Sequence, residues 1–144
     1  MQLKDVMTRQ VEVIRPEAPL EEAARKMDQL NVGPLPVCDG ERLVGLITDR
    51  DITVRATSVG KDPRTTPVRE AMSRDVLYCY EDQDVREAER LMEDQQVRRV
   101  PVLSRDDHRL VGIVSLGDLA THGRDERASA EVVERVSEPS EPDR

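Results

Sequence analysis

Arg42-Leu43-Val44-Gly45-Leu46-Ile47-Thr48-Asp49-Arg50-Asp51-Ile52 returns later in the chain as Arg109-Leu110-Val111-Gly112-Ile113-Val114-Ser115-Leu116-Gly117-Asp118-Leu119, at an offset of 67. Working outward, Met7, Met27, Pro36 and Val37 recur as Met72, Met92, Pro101 and Val102 at an offset of 65. The change of offset puts two extra loop residues into the second copy. A duplicated unit of this length buries its apolar face against a neighbour rather than alone.

Each copy reads as strand–helix–strand–strand–helix. In the first, Val11–Ile14 is a β-branched run closed by Pro16, hence a strand. Leu20, Ala23, Ala24, Met27 and Leu30 share one helix face, and Pro19 suits that helix's first turn. Leu35–Cys38 and Leu43–Thr48 form a hairpin about Asp39-Gly40-Glu41-Arg42. A helix carrying Ile52 and Val54 follows Thr48. In the second copy the strand is Val76–Tyr80, and Val85, Ala88, Leu91 and Met92 make the helix face. Val100–Leu103 and Leu110–Ser115 form the hairpin, with a helix from Leu116. Thr66 is placed to cap a short helix through Val68, Ala71 and Met72, with Pro67 at its first position. The expected division is 1–62 and 63–123 for the repeats. Residues 124–144, rich in Glu, Arg, Ser and Pro, form a polar tail expected to be disordered, apart from a turn or two of helix over Ala128–Val136.

Composition narrows the function. The net charge of −8 opposes general binding to nucleic acid or to an anionic membrane. No apolar run reaches the length of a transmembrane helix, and the start lacks the apolar stretch of a secretory signal. Two cysteines read as free thiols of a reducing cytoplasm. With no Phe or Trp, the core falls to Val, Leu, Ile, Ala and Met, and Tyr78 and Tyr80 are the only large aromatic residues that could meet a bound base.

The chemistry concentrates where each hairpin hands over to a helix. Thr48 and Ser115 each precede an aspartate, Asp51 and Asp118, by three residues. One reading is a capping box, in which the hydroxyl caps the helix and the carboxylate returns to the cap's amide. The other is an anion and ribose site: free amides, a hydroxyl and Arg50 for a phosphate, and a carboxylate for ribose hydroxyls. The two are compatible. Arg50 also reads as part of a charged first turn, Arg98 and Arg99 as solvated loop arginines, and Tyr78 as closing the core at a strand end.

The tandem unit, with Gly-Leu-Ile-Thr-Asp-Arg-Asp-Ile after Leu-Pro-Val, resembles a pair of CBS domains (named after cystathionine β-synthase) over residues 3–57 and 68–122. The whole is similar to stand-alone bacterial CBS pairs of the hypoxic-response and stress type. The resemblance implies an α/β (α+β) module of two pseudo-twofold-related β-α-β-β-α repeats that binds adenosine-containing ligands, such as AMP, ADP or ATP, in clefts between the repeats. It implies phosphate and ribose contacts from Thr48 and Asp51 in one cleft and from Ser115 and Asp118 in the other. The base would lie among Val13, Val32, Pro34, Tyr78 and Val97. A basic pair before Leu-Pro-Val, as in tight binders of AMP or ATP, stands here as Arg98-Arg99, where the first copy has Gly33-Pro34. The second copy has Leu116-Gly117 in place of Asp49-Arg50. The two sites are therefore expected to be unequal. The resemblance also implies a homodimer and a regulated protein partner.

Other constellations are thin. Cys38, Cys79, His108 and His122 lack the close spacing of a structural zinc site. No phosphate loop, dinucleotide fingerprint or local nucleophile–base pair is present. The reading is a cytoplasmic sensor with no required cofactor, no catalysis, no metal site and an adenine nucleotide as regulatory ligand. The alternative is a protein-interaction or dimerisation module whose clefts bind no nucleotide.

Overall fold

The computed structural model describes residues 1–122, so the expectations for the tail lie outside the described residues. Among the described residues the chain forms two compact units, one of Glu12–Val76 (the first unit) and one of Met1–Val11 with residues 77–122 (the second).

In the first unit, α1 (Leu20–Leu30) buries Leu20, Ala23 and Met27, while Ala24 and Leu30 are exposed. Pro19 takes the cap position just before the helix rather than its first turn. β1 (Leu35–Asp39) and β2 (Arg42–Ile47) pair antiparallel from Leu35↔Ile47 to Asp39↔Arg42. The turn is Gly40-Glu41, and Gly40 has φ +64°, a left-handed value that glycine adopts without a Cβ penalty. Beyond Thr48 comes one α-turn, α2 (Asp49–Asp51). It widens into a π-turn over Ile52–Ala56 and tightens to a 3-10 turn over Thr57–Val59, ending at Gly60 with φ +79°.

The second unit repeats the plan: β3 (Cys79–Tyr80), α3 (Val85–Gln95), β4 (Arg99–Leu103), β5 (Leu110–Ser115) and α4 (Leu116–His122). β4 and β5 are antiparallel, and β3 joins β4 in parallel. Each unit has its own core. Ile14, Leu20, Leu35, Val37, Ile47 and Val68 lie in one, and Leu3, Met92, Val100, Val102, Val114 and Leu119 in the other.

Both α1 and α3 end in the same left-handed cap. Asn31 and Gln96 have φ 54°, and the next amides, of Val32 and Val97, donate to the carbonyls of Met27 and Met92. This pattern closes the last helical turn and sends the chain back toward the sheet.

Two expected strands shrink. Val11–Ile14 reduces to a single parallel bridge, Ile14↔Val37, with Ile14 N donating to the Pro36 carbonyl and Cys38 N to the Ile14 carbonyl. Its counterpart Val76–Tyr80 reduces to Cys79–Tyr80, where Cys79↔Val102 repeats that bridge. In the first unit the Val13 carbonyl goes instead to Lys26 Nζ at 2.9 Å, and Pro16 stops the run.

Thr66 does not cap a helix. Pro67 precedes a 3-10 turn over Val68–Glu70 without a side-chain cap, while the Thr66 carbonyl accepts from Leu20 N. That turn has a twin at Leu3–Asp5. The bridges Pro19↔Pro67 and Leu46↔Ser73 attach residues 67–73 to the first unit, and Gln2↔Asp84 and Thr8↔Ile113 attach residues 2–8 to the second. The arm that opens each sequence repeat thus completes the other copy, and the compact units meet along the chain at Val11/Glu12 and Val76/Leu77.

Candidate functional site: two strand–helix junctions

β2 delivers Thr48 and β5 delivers Ser115 to the start of a helix, and at both places the capping box is complete. Asp51 N donates to Thr48 Oγ1 at 3.0 Å, and Thr48 N donates to Asp51 Oδ2 at 3.0 Å. Asp118 N donates to Ser115 Oγ and Ser115 N to Asp118 Oδ2, again at 3.0 Å. The reciprocal bonds fix each hydroxyl against its carboxylate in partly buried surroundings. A carboxylate offers about four acceptor positions, so one amide leaves most of its capacity unused.

The remaining expected residues separate by unit. Arg50 is exposed on α2, and its own amide donates to Asp49 Oδ1 at 3.0 Å. Val32 is half-buried against the first unit's core. Because Leu35 pairs with Ile47, half-buried Pro34 stands at the strand end beside Thr48. Val13 is half-buried, with its carbonyl held by Lys26.

In the second unit Arg99 pairs with Ser115, and the Arg98 carbonyl accepts from Leu116 N at 3.0 Å. The basic pair therefore adjoins the Ser115–Asp118 junction of its own unit. Val97 packs on that unit's core as Val32 does on the other. The amide that opens α4 is already engaged by Arg98, and Leu116 is buried where the first unit has exposed Asp49.

Tyr78 is 38% exposed, and its ring meets those of Tyr80 and His108 edge-to-face at 5.5 and 5.8 Å. Arg105 lies over the Tyr80 ring at 4.2 Å from its centre and forks onto Asp82 at 2.8 and 2.9 Å. The guanidinium draws the Asp82 carboxyl below its usual range. This cluster occupies the hairpin-loop end of β5, opposite Ser115.

Two further groups emerge only from the structure. Arg55 ties the first junction together: its Nε is 3.8 Å from Asp51 Oδ1, and its Nη1 donates to the Met72 carbonyl at 3.2 Å. The signal in the sequence was its place four residues after Asp51, the spacing of side-chain partners on a helix. The ring cluster carried no local signal, because Tyr80 and His108 meet only through the β3–β4 pairing. Among the described residues, no group of three or more His, Cys, Asp and Glu side chains is arranged to hold a metal ion. Cys38 and Cys79 are buried free thiols, pushed up by burial to about 11.

Two tandem units with a hydroxyl and an aspartate closing each strand–helix junction define a class, and comparison with known proteins places the chain in it. The CBS domain family matches residues 3–56 and 68–125, and the chain belongs to that family as a CBS pair. It is 39% identical over 135 residues to the CBS domain-containing protein YhcV of Bacillus subtilis, covering 94% of each chain. It is 37% identical over 137 residues to Hypoxic response protein 1 of Mycobacterium tuberculosis, again covering 94% of each. Among solved structures, Hypoxic Response Protein I with two coordinated zinc ions superposes with a TM-score of 0.74 at 38% identity, over 85% of this chain and 98% of that one. The CBS domain pair of protein MJ0100, in complex with 5′-methylthioadenosine and S-adenosyl-L-methionine, gives a TM-score of 0.66 at 29% identity, over 84% and 94%. No helix among the described residues is long and apolar enough to cross a membrane.

Proposed function

We propose that this CBS pair is a cytoplasmic sensor of adenosine-containing ligands (AMP, ADP, ATP or a similar adenosyl compound), with no catalysis of its own. The observation that carries this reading is the duplicated hydroxyl–carboxylate pair. Thr48 with Asp51, and Ser115 with Asp118, are each locked at 3.0 Å, yet each keeps carboxylate capacity for a ribose. Arg50 beside one junction, and Arg98 and Arg99 beside the other, supply positive charge in a chain of net charge −8. Val13, Val32, Pro34, Val97 and Tyr78 offer apolar surface for a base. The likeness to the MJ0100 pair, solved with two adenosyl compounds, supports the same ligand class.

Ligand occupancy would be read out through a second copy of the chain and a regulated protein partner. Leu30, Val54 and Val59, exposed by 41, 47 and 65% on the helices of the first unit, support a homodimer. Sedimentation velocity tests this, with a dimer expected and a monomer at micromolar concentration contradicting it.

A protein-interaction module without nucleotide is the second reading. The second junction favours it, since Leu116 is buried and its amide is taken by the Arg98 carbonyl. A thermal-shift screen with AMP, ADP, ATP, S-adenosylmethionine and cyclic dinucleotides separates the two. A ligand at 100 times its Kd that binds only the folded chain adds about 2.7 kcal/mol. A flat response to every adenosyl compound selects the interaction module.

A further inference from the structure

The sequence offers Arg50, Arg98 and Arg99 as cations for a phosphate, but the structure gives a different arginine the most defined place at the first junction. Arg55 stands one helical step beyond Asp51. Its Nε is held 3.8 Å from Asp51 Oδ1, the carboxylate oxygen that the cap does not use. Its Nη1 donates to the Met72 carbonyl at 3.2 Å. These two contacts take one donor on each side of the planar, five-donor fork and leave Nη2, which belongs to both of its edges, unengaged. The side chain is 53% exposed, so a ligand from solvent can reach it. A separation of 3.8 Å is an ion pair without a close hydrogen bond, and Oδ1 can still accept from a ribose hydroxyl.

We propose that Arg55 is a specificity-determining residue of the first junction: its unengaged Nη2 takes the phosphate of a nucleotide whose ribose Asp51 holds, so that this junction prefers phosphorylated adenosyl ligands. The proposal rests on the adenosyl reading above and deepens it. A cation held in place before the ligand arrives loses little side-chain freedom on binding. Arg50 is exposed, and its hydrogen bond to Asp49 Oδ1 comes from its backbone amide and does not anchor the guanidinium. The duplicate does not carry the device, because the residue four beyond Asp118 is His122.

The test compares AMP with adenosine by isothermal titration on wild type, Arg55→Gln and Arg55→Lys, with melting temperatures recorded for all three. A hydrogen bond to a charged group is worth about 1.5–3 kcal/mol, so Arg55→Gln should weaken AMP roughly tenfold to a hundredfold at the first junction. Adenosine should stay within about threefold. Arg55→Lys keeps the charge without the fork and should fall between the two. Equal weakening of AMP and adenosine, in step with a lowered melting temperature, would make Arg55 a structural tie to Met72 and overturn the proposal. An unchanged preference for AMP in Arg55→Gln would also overturn it while leaving the adenosyl reading intact. Wild type binding neither compound would overturn the adenosyl reading itself.

Discussion

Met72 Sδ lies against Gly45 so closely that a Cβ on Gly45 would stand 2.8 Å from it, and 2.8 Å from the Ser73 carbonyl oxygen. The second unit repeats the contact, with Met7 Sδ at 2.6 Å and the Thr8 carbonyl oxygen at 2.8 Å from a Cβ on Gly112. The arm's bridge to the hairpin, Leu46↔Ser73 or Thr8↔Ile113, requires this approach. It explains why a glycine recurs in the middle of each second hairpin strand and a methionine in each arm.

Gly45→Ala and Gly112→Ala should therefore each destabilise the chain by about 1–3 kcal/mol, because backbone as well as sulfur must shift. Urea unfolding monitored by circular dichroism reads the change. An unmoved midpoint would show that the arms do not pack on the hairpins as described.

Gln96 holds φ 54° at the end of α3, where a side chain costs roughly 1 kcal/mol relative to glycine. Gln96→Gly should stabilise by about 0.5–1 kcal/mol, less whatever its exposed Nε2 bond to the Glu93 carbonyl contributes. Asn31→Gly, at the matching cap, should gain less, since Asn tolerates this conformation better. A loss of stability in Gln96→Gly would contradict the left-handed cap.

Burial raises the Cys38 and Cys79 thiols to about 11, with Glu87 adding to the shift at Cys79. The folded value lies above the unfolded one, so the contribution is fully present below the unfolded pKa and is lost as pH rises through about 11. Stability should fall between about pH 9 and 11, and Cys38→Ala with Cys79→Ala should flatten that slope. At pH 8 the native thiols should react with iodoacetamide far more slowly than in urea. Fast native alkylation would contradict the burial.

The hairpins and the faces of α1 and α3 were legible in the sequence because local apolar spacing dictates them. Leu20, Ala23 and Met27, or Val85, Ala88 and Met92, have one way to be buried together. Thr48–Asp51 and Ser115–Asp118 were legible because a cap needs only neighbours. The short parallel contacts at Ile14 and Cys79 were not, since each pairing is decided by a partner 23 residues further on and not by the run's own β-propensity. Nor was the exchange of arms, because Leu3 and Val68 are equivalent in sequence and nothing local says which core each enters. Arg55 was hidden in a run of polar and apolar residues whose helix widens to a π-turn. Its tie to Met72 spans 17 residues.

The central claim is that the junction carboxylates hold a ribose as well as capping a helix, and calorimetric titration of AMP into wild type and Asp51→Ala tests it most directly. Losing the cap should cost about 0.5–2 kcal/mol of stability. Losing charge-assisted bonds to the ribose should weaken AMP by roughly tenfold to a hundredfold in a protein that still folds. Wild-type binding that survives unchanged in Asp51→Ala, while the melting temperature falls, would reduce Asp51 to a helix cap and contradict the account.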